Sequence, residues 1–224
     1  MVIAFCSSKG GVGKTTAAIN VVRVPINGKK FMNLFDLDSP QNASYNLTKL
    51  SKNIGINVKK TTTQQNKNID IIEEILNEYK NNREKHIVFD CGGHDTDLIR
   101  RVQTMSNVII TPLTYSDSET LDFQNFNENI IKPLLKLNPS VQLKVLFNRV
   151  HHYDKKRYDE LTNWIVENYP EYKILKTQLY DRLLYRTSFM ESGKGVVEYK
   201  PNSKAAMEIK SLAKEIKSIL KTIE

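Results

Sequence analysis

Lys9-Gly10-Gly11-Val12-Gly13-Lys14-Thr15-Thr16 stands three residues after the apolar run Val2-Ile3-Ala4-Phe5 and leads directly into Ala17-Ala18-Ile19-Asn20-Val21-Val22. That order predicts a buried strand, a glycine-rich turn and a helix opening on two threonines. Gly10, Gly11 and Gly13 let the backbone curl, so that successive N–H groups through Val12 turn inward toward a polyphosphate. The helix N-terminus at Thr15 and Thr16 adds free donors and partial positive charge. Lys14 is placed to reach β- and γ-phosphates, and the Thr15 hydroxyl to ligate Mg²⁺. The pattern G-x-x-x-x-G-K-[ST] is met loosely, because Ser8 stands where its first glycine belongs and Lys9 puts a second lysine beside the cradle.

The bulk properties suit one α/β domain spanning residues 1–224. The chain is long enough to bury a full core, and its 40% hydrophobic and 26% charged residues are ordinary for a globular protein. No apolar run approaches the roughly 18 residues of a membrane span. A strand beginning at Val2 leaves no room for a signal peptide, so the expected location is cytoplasmic. Cys6 and Cys91 stand singly, and His86, His94, His151 and His152 lack metal-ligand spacing, which speaks against a disulfide framework or a zinc site. The formal charge of +8 points to an acidic partner.

Strand and helix signals alternate along the rest of the chain. Phe31 to Phe35 reads as a second strand ending in Asp36-Leu37-Asp38-Ser39-Pro40-Gln41, after a break at Pro25 and Asn27-Gly28. Residues 42–68 are rich in Asn, Thr, Lys and Gln and read as a surface insertion with a short strand near Ile54 to Val58. A helix is predicted from Ile69 to Asn81, with Ile69, Ile72, Ile75, Leu76 and Tyr79 on one face. A third strand, from His86, ends in Asp90-Cys91-Gly92-Gly93; its aspartate can hold Mg²⁺ through water, and its glycines can follow a γ-phosphate. A short helix over 98–105 and a strand over 107–112 come next. A long helix over 116–137, bent near Pro133, leads to a fifth strand over 142–147 that closes on Asn148-Arg149. A helix over 153–169, a short strand from Ile174 and a final helix complete a doubly wound, mostly parallel sheet with helices on both faces. In such sheets ligands bind at the carboxyl ends of the strands, where Asp36, Asp38 and Asp90 fall. Asp36 to Gln41 also fits a polar turn capping a helix, and Asn148 fits a simple turn former.

The K-G-G-x-G-K-T run resembles the loop of the deviant Walker A ATPases, the ParA/MinD/Soj family. The resemblance implies that Lys9 reaches across a dimer interface to the partner subunit's nucleotide, with ATP and Mg²⁺ as cofactors of a sandwich dimer. It implies that Asp38 orients the attacking water while Asp36 organises lysine and magnesium contacts. Asp90 to Asp95 matches the D-x-G-G-x-D run of small ParA proteins, Asn148 would read the adenine edge, and Gln178 to Asp181 would border the adenine pocket. Two departures stand out: Ser39 separates Asp38 from Pro40, and Pro25 interrupts what is usually a longer helix.

From residue 178 onward the chain is basic. Arg182, Arg186, Lys194, Lys200 and Lys204 precede a helix in which Ile209, Leu212, Ala213, Ile216, Leu220 and Ile223 form an apolar face. Lys210, Lys214, Lys217 and Lys221 form a stripe along another side, which alone fits a solvated face equally well. The family resemblance implies nonspecific double-stranded DNA binding by such residues, association with the nucleoid, and slow hydrolysis stimulated by a ParB-type centromere-binding protein. No helix-turn-helix precedes the phosphate loop, as in the short partition ATPases. The alternatives are a MinD-like membrane-surface ATPase, which would need the last helix free, and a ligase of the dethiobiotin synthetase sort, which shares the fold.

Overall fold

A computed structural model describes residues 1–24, 33–38, 58–60, 65–80 and 86–223. Seven strands form one parallel sheet in the order β3-β2-β4-β1-β5-β6-β7. They are β1 (Val2–Phe5), β2 (Asn33–Asp36), β3 (Val58–Lys60), β4 (Ile87–Asp90), β5 (Val108–Leu113), β6 (Gln142–Val150) and β7 (Tyr172–Ile174). A two-residue strand, β8 (Leu179–Tyr180), pairs with β6 beyond the end of β7. Alternation along β1 shows how the sheet is buried on both sides. Val2 and Ala4 face one apolar cluster while Ile3 and Phe5 face the other.

The first face is covered by α2 (Gln65–Lys80), α3 (Asp97–Met105), α4 (Asp117–Phe126), α5 (Lys132–Leu137) and α6 (Lys155–Asn168). The second is covered by α1 (Lys14–Val21), α7 (Leu183–Ser192), α8 (Val196–Tyr199) and α9 (Lys204–Lys221). In α9 the expected face, Ile209, Leu212, Ala213, Ile216 and Leu220, is buried against the sheet beside α1. α1 is also clasped at its far end. Asn20 takes the N–H of Val196 (2.9 Å) and gives its own amide to the Thr16 carbonyl, while Arg23 bonds Glu198 at 2.8 Å and lies over the Phe189 ring.

Several elements differ from the sequence reading. α2 begins at Gln65, inside the stretch read as an insertion, and β3 lies at 58–60 rather than at 54–58. Pro25, Asn27, Gly28, residues 31–32, 39–57 and Asn81 lie outside the described residues. The helix over 116–137 is continuous but widens over Asn127–Ile131 into a π-turn, in which the Lys132 N–H reaches the Asn127 carbonyl. Pro133 has no N–H to continue the ladder, and the π-turn lies directly before it. β7 starts at Tyr172, two residues earlier than expected, and α7 and β8 have no counterpart in the sequence reading.

Candidate nucleotide site

Three strand ends meet in register. Phe5 of β1 lies beside Asp90 of β4, and Asp90 beside Asp36 of β2. The loops that follow therefore open on one carboxyl edge. The loop after β1 turns through left-handed backbone at Gly11 (φ 79°) and at Gly13 (φ 97°), the residue that starts α1. A side chain at Gly10 or Gly11 would meet no atom within 4 Å, so an open cradle remains above the backbone. At Gly13 the space is filled instead: a Cβ there would lie 2.0 Å from the Asn148 amide nitrogen, which donates to the Val12 carbonyl at 2.7 Å. Asn148 is buried and braces the loop from below, with its Nδ2 committed to Val12.

Lys14 is only 7% exposed, and its ammonium donates to the Lys9 carbonyl (2.7 Å) and to Ser7 Oγ (3.1 Å). Burial lowers its pKa, and the nearby Asp90 carboxylate opposes that shift. The loop's own oxygens thus hold the cation. Beneath it, one residue past the Phe5–Asp90 pair, Cys6 and Cys91 are buried free thiols. The hydrogen bond to Cys6 and burial push the Cys91 thiol well up.

The Gly92-Gly93 pair is explained by what presses on it. A Cβ at Gly92 would lie 2.6 Å from Asp38 Oδ1, and one at Gly93 would lie 3.2 Å from the Gly10 nitrogen. Asp36, fully buried, accepts the Asp38 N–H at 3.0 Å and sets the turn that brings Asp38 forward. The cleft so formed has a volume of about 620 Å³ and is bordered by Gly10, Gly11, Lys14, Thr15, Thr16 and Asp38. Asp90 lies behind it with no exposed surface. No cluster of three or more His, Cys, Asp or Glu among the described residues forms a self-sufficient metal site. The Thr15 hydroxyl and the Asp38 carboxylate, with Asp90 behind, are oxygen donors that suit Mg²⁺ bound jointly with a ligand's phosphates, and the open cradle at Gly10 and Gly11 leaves room for those phosphates.

Lys9 does not border this cleft. Its ammonium bonds Ser118 Oγ at 2.8 Å and Asp122 at 3.2 Å, with Glu119 at 4.0 Å, so in the single chain it lies along α4. Ser8, His94 and Arg149 border the cleft although the sequence reading assigned them no role. The basic segment is uneven. Arg182 is drawn in by Glu208 (2.7 Å from Nε) and lies against the Tyr180 ring; Arg186 pairs with Asp181; Lys210 bonds the Pro201 carbonyl. Lys194, Lys200, Lys204, Lys214 and Lys221 are exposed, and Lys217 is half-buried.

The central parallel sheet, the glycine loop feeding α1 and the aspartates at neighbouring strand ends define a P-loop nucleoside-triphosphatase fold. The family model for ATPase MipZ matches residues 1–168, and the chain belongs to this family of ParA/MinD-type ATPases. No functionally curated protein matches the chain. Among solved structures, the fold is similar to the MinD cell division protein of Aquifex aeolicus (TM-score 0.72, 19% identity, covering 97% of this chain and 96% of that one). It is also similar to a putative plasmid partition protein from Borrelia burgdorferi bound to AMPPNP (TM-score 0.66, 15% identity, 96% and 97% covered). A third similar structure is MinD complexed with Mg-ADP from Pyrococcus horikoshii (TM-score 0.67, 18% identity, 96% and 95% covered). No helix among the described residues is long and apolar enough to cross a membrane.

Proposed function

We propose that this single-domain chain is a partition ATPase that forms an ATP-dependent homodimer and binds double-stranded DNA without sequence preference. In this reading Lys14, the loop N–H groups and the first turn of α1 hold the polyphosphate. Asp38 orients the attacking water, and Lys9 serves the partner subunit's nucleotide. When bound, Mg²⁺ would be held by Thr15 and Asp38, with Asp90 behind, and would supply charge neutralisation to the phosphates. Hydrolysis is slow and accelerated by a ParB-type partner, and the protein works in the cytoplasm on the nucleoid.

The observation that carries the reading is the open cradle over Gly10 and Gly11, with the buried Lys14 lining the same cleft. The trans role requires Lys9 to leave Ser118 and Asp122. DNA rather than a membrane surface is favoured by the docking of α9, whose apolar face is spent on the sheet and is not available as an amphipathic anchor. The exposed lysines of residues 194–221 then act by counterion release.

A DNA mobility-shift assay with ATP, with ADP and without nucleotide tests the proposal. Binding is expected only with ATP and should fall steeply with salt. Equal binding in all three states refutes the nucleotide coupling. ATP-dependent sedimentation with anionic vesicles, in the absence of any DNA shift, replaces partition with a MinD-like role.

A further inference from the structure

The carboxyl end of β6 carries a cation that the nucleotide reading does not use. Val145 and Phe147 face the first apolar cluster, and a period of two would send residue 149 into it as well. Val150 takes that place instead. The pairing with β8 shifts between Asn148 and Val150, and Arg149 is the extra residue, with φ 54°. A bulge of this kind re-aims a side chain, and left-handed backbone at a residue other than glycine costs stability unless something is gained by it. Arg149 is thereby expelled from the core to the border of the cleft that also holds Gly10, Gly11, Lys14 and Asp38.

Position in the sheet says which part of a ligand it meets. Asp38 follows β2 and Gly93 follows β4, on one side of β1, whereas β6 lies two strands away on the other side. The acidic wall, suited to a cation, and Arg149 therefore flank the phosphate loop from opposite sides. In the single chain the charge of Arg149 is felt by Glu119, which also faces Lys9.

We infer that Arg149 is a phosphate-binding residue, gripping a nucleotide's polyphosphate on the side away from Asp38. This rests on the nucleotide reading of the cleft. A guanidinium there makes charge-assisted hydrogen bonds to phosphate oxygens, and it complements Lys14 without competing for Thr15 or Asp38.

The test compares wild type, Arg149→Gly, Arg149→Ala and Arg149→Lys by calorimetric titration with Mg·ATP and with inorganic tripolyphosphate, alongside thermal melts. Glycine removes the side chain and relieves the left-handed backbone, so Arg149→Gly should melt at or above the wild-type temperature. Its affinity for both probes should nevertheless fall by about 10- to 100-fold. Arg149→Ala should lose similar affinity, and Arg149→Lys should recover part of it. Unchanged affinity in Arg149→Gly overturns the inference, as does a loss confined to ATP with tripolyphosphate binding intact, which would place the residue on the base. Failure of the wild-type protein to bind ATP would instead overturn the nucleotide reading itself.

Discussion

Replacing Gly13 by alanine tests the phosphate-loop geometry independently of any activity. The backbone at Gly13 has φ 97°, where an L-residue pays about 1–2 kcal/mol. The new Cβ would also fall 2.0 Å from the Asn148 amide nitrogen, so that side chain must move. Moving it breaks a 2.7 Å bond and leaves the buried Val12 carbonyl unmatched, at about 1–3 kcal/mol. The two effects sum to about 2–5 kcal/mol, a large share of a typical domain's stability, and to a melting temperature lower by about 5–20 °C. The steric part disappears when Asn148 is itself shortened. Gly13→Ala combined with Asn148→Ala should therefore be less damaging than the sum of the single changes by about 1–3 kcal/mol. Denaturant unfolding of the four proteins measures this coupling. Strict additivity would refute the argument that Asn148 and Gly13 share one space.

Three further outcomes follow from contacts already described. Asp122→Asn should loosen the hold on Lys9, worth about 0.2–1 kcal/mol for an exposed pair, and so tighten ATP-dependent dimerisation about 1.5- to 5-fold in sedimentation experiments; weaker dimerisation would contradict the release of Lys9. Burial, with Lys173 alongside, holds the Lys144 ammonium below its ordinary pKa of 10.5, against the opposing charge of Glu215. The folded state then binds fewer protons than the unfolded chain as the pH approaches 10.5, so stability from this group rises with pH through that window and is reduced below it. Lys144→Met should raise stability at neutral pH and flatten the rise, as read from urea midpoints at several pH values. Finally, Arg182→Ala should lower the melting temperature, because the guanidinium is bonded to Glu208, whereas Arg186→Ala, at an exposed ion pair, should leave it unchanged. If both melt like wild type, the Arg182 tie is dispensable and any change in DNA affinity can be read directly.

What could be seen in the sequence was local. A short continuous apolar run, Val2–Phe5, followed by glycines and Lys14-Thr15 is enough to place a strand, a tight turn and a helix, because each signal acts within a few residues. The strand-end aspartates were legible for the same reason. The partners of the site were not. Asn148 reaches Val12 across 136 positions, and Lys9 meets Ser118 across 109, separations that no local pattern encodes. Arg149 is hidden more subtly, since alternation along β6 assigns it to the core and only the bulge between Asn148 and Val150 removes it. α7 escaped because Leu183 and Met190 are exposed beside the inward-packed Leu184, Tyr185 and Phe189 and blur its apolar face. Arg182 looks like one more surface cation until Glu208, 26 residues later, brings it into a half-buried tie.

The clasp on α1 has a consequence for how the protein is made. Asn20 and Arg23 bind Val196 and Glu198 across 176 and 175 positions, so the helix that begins at the phosphate loop is completed by residues synthesised much later. At about 5–20 residues per second the ribosome needs roughly 10–35 s to cover that distance. Throughout that interval α1 lacks the α9 surface that it packs against in the finished chain. A nascent chain interrupted before residue 195 carries every residue of the glycine loop but lacks the partners that hold the far end of α1.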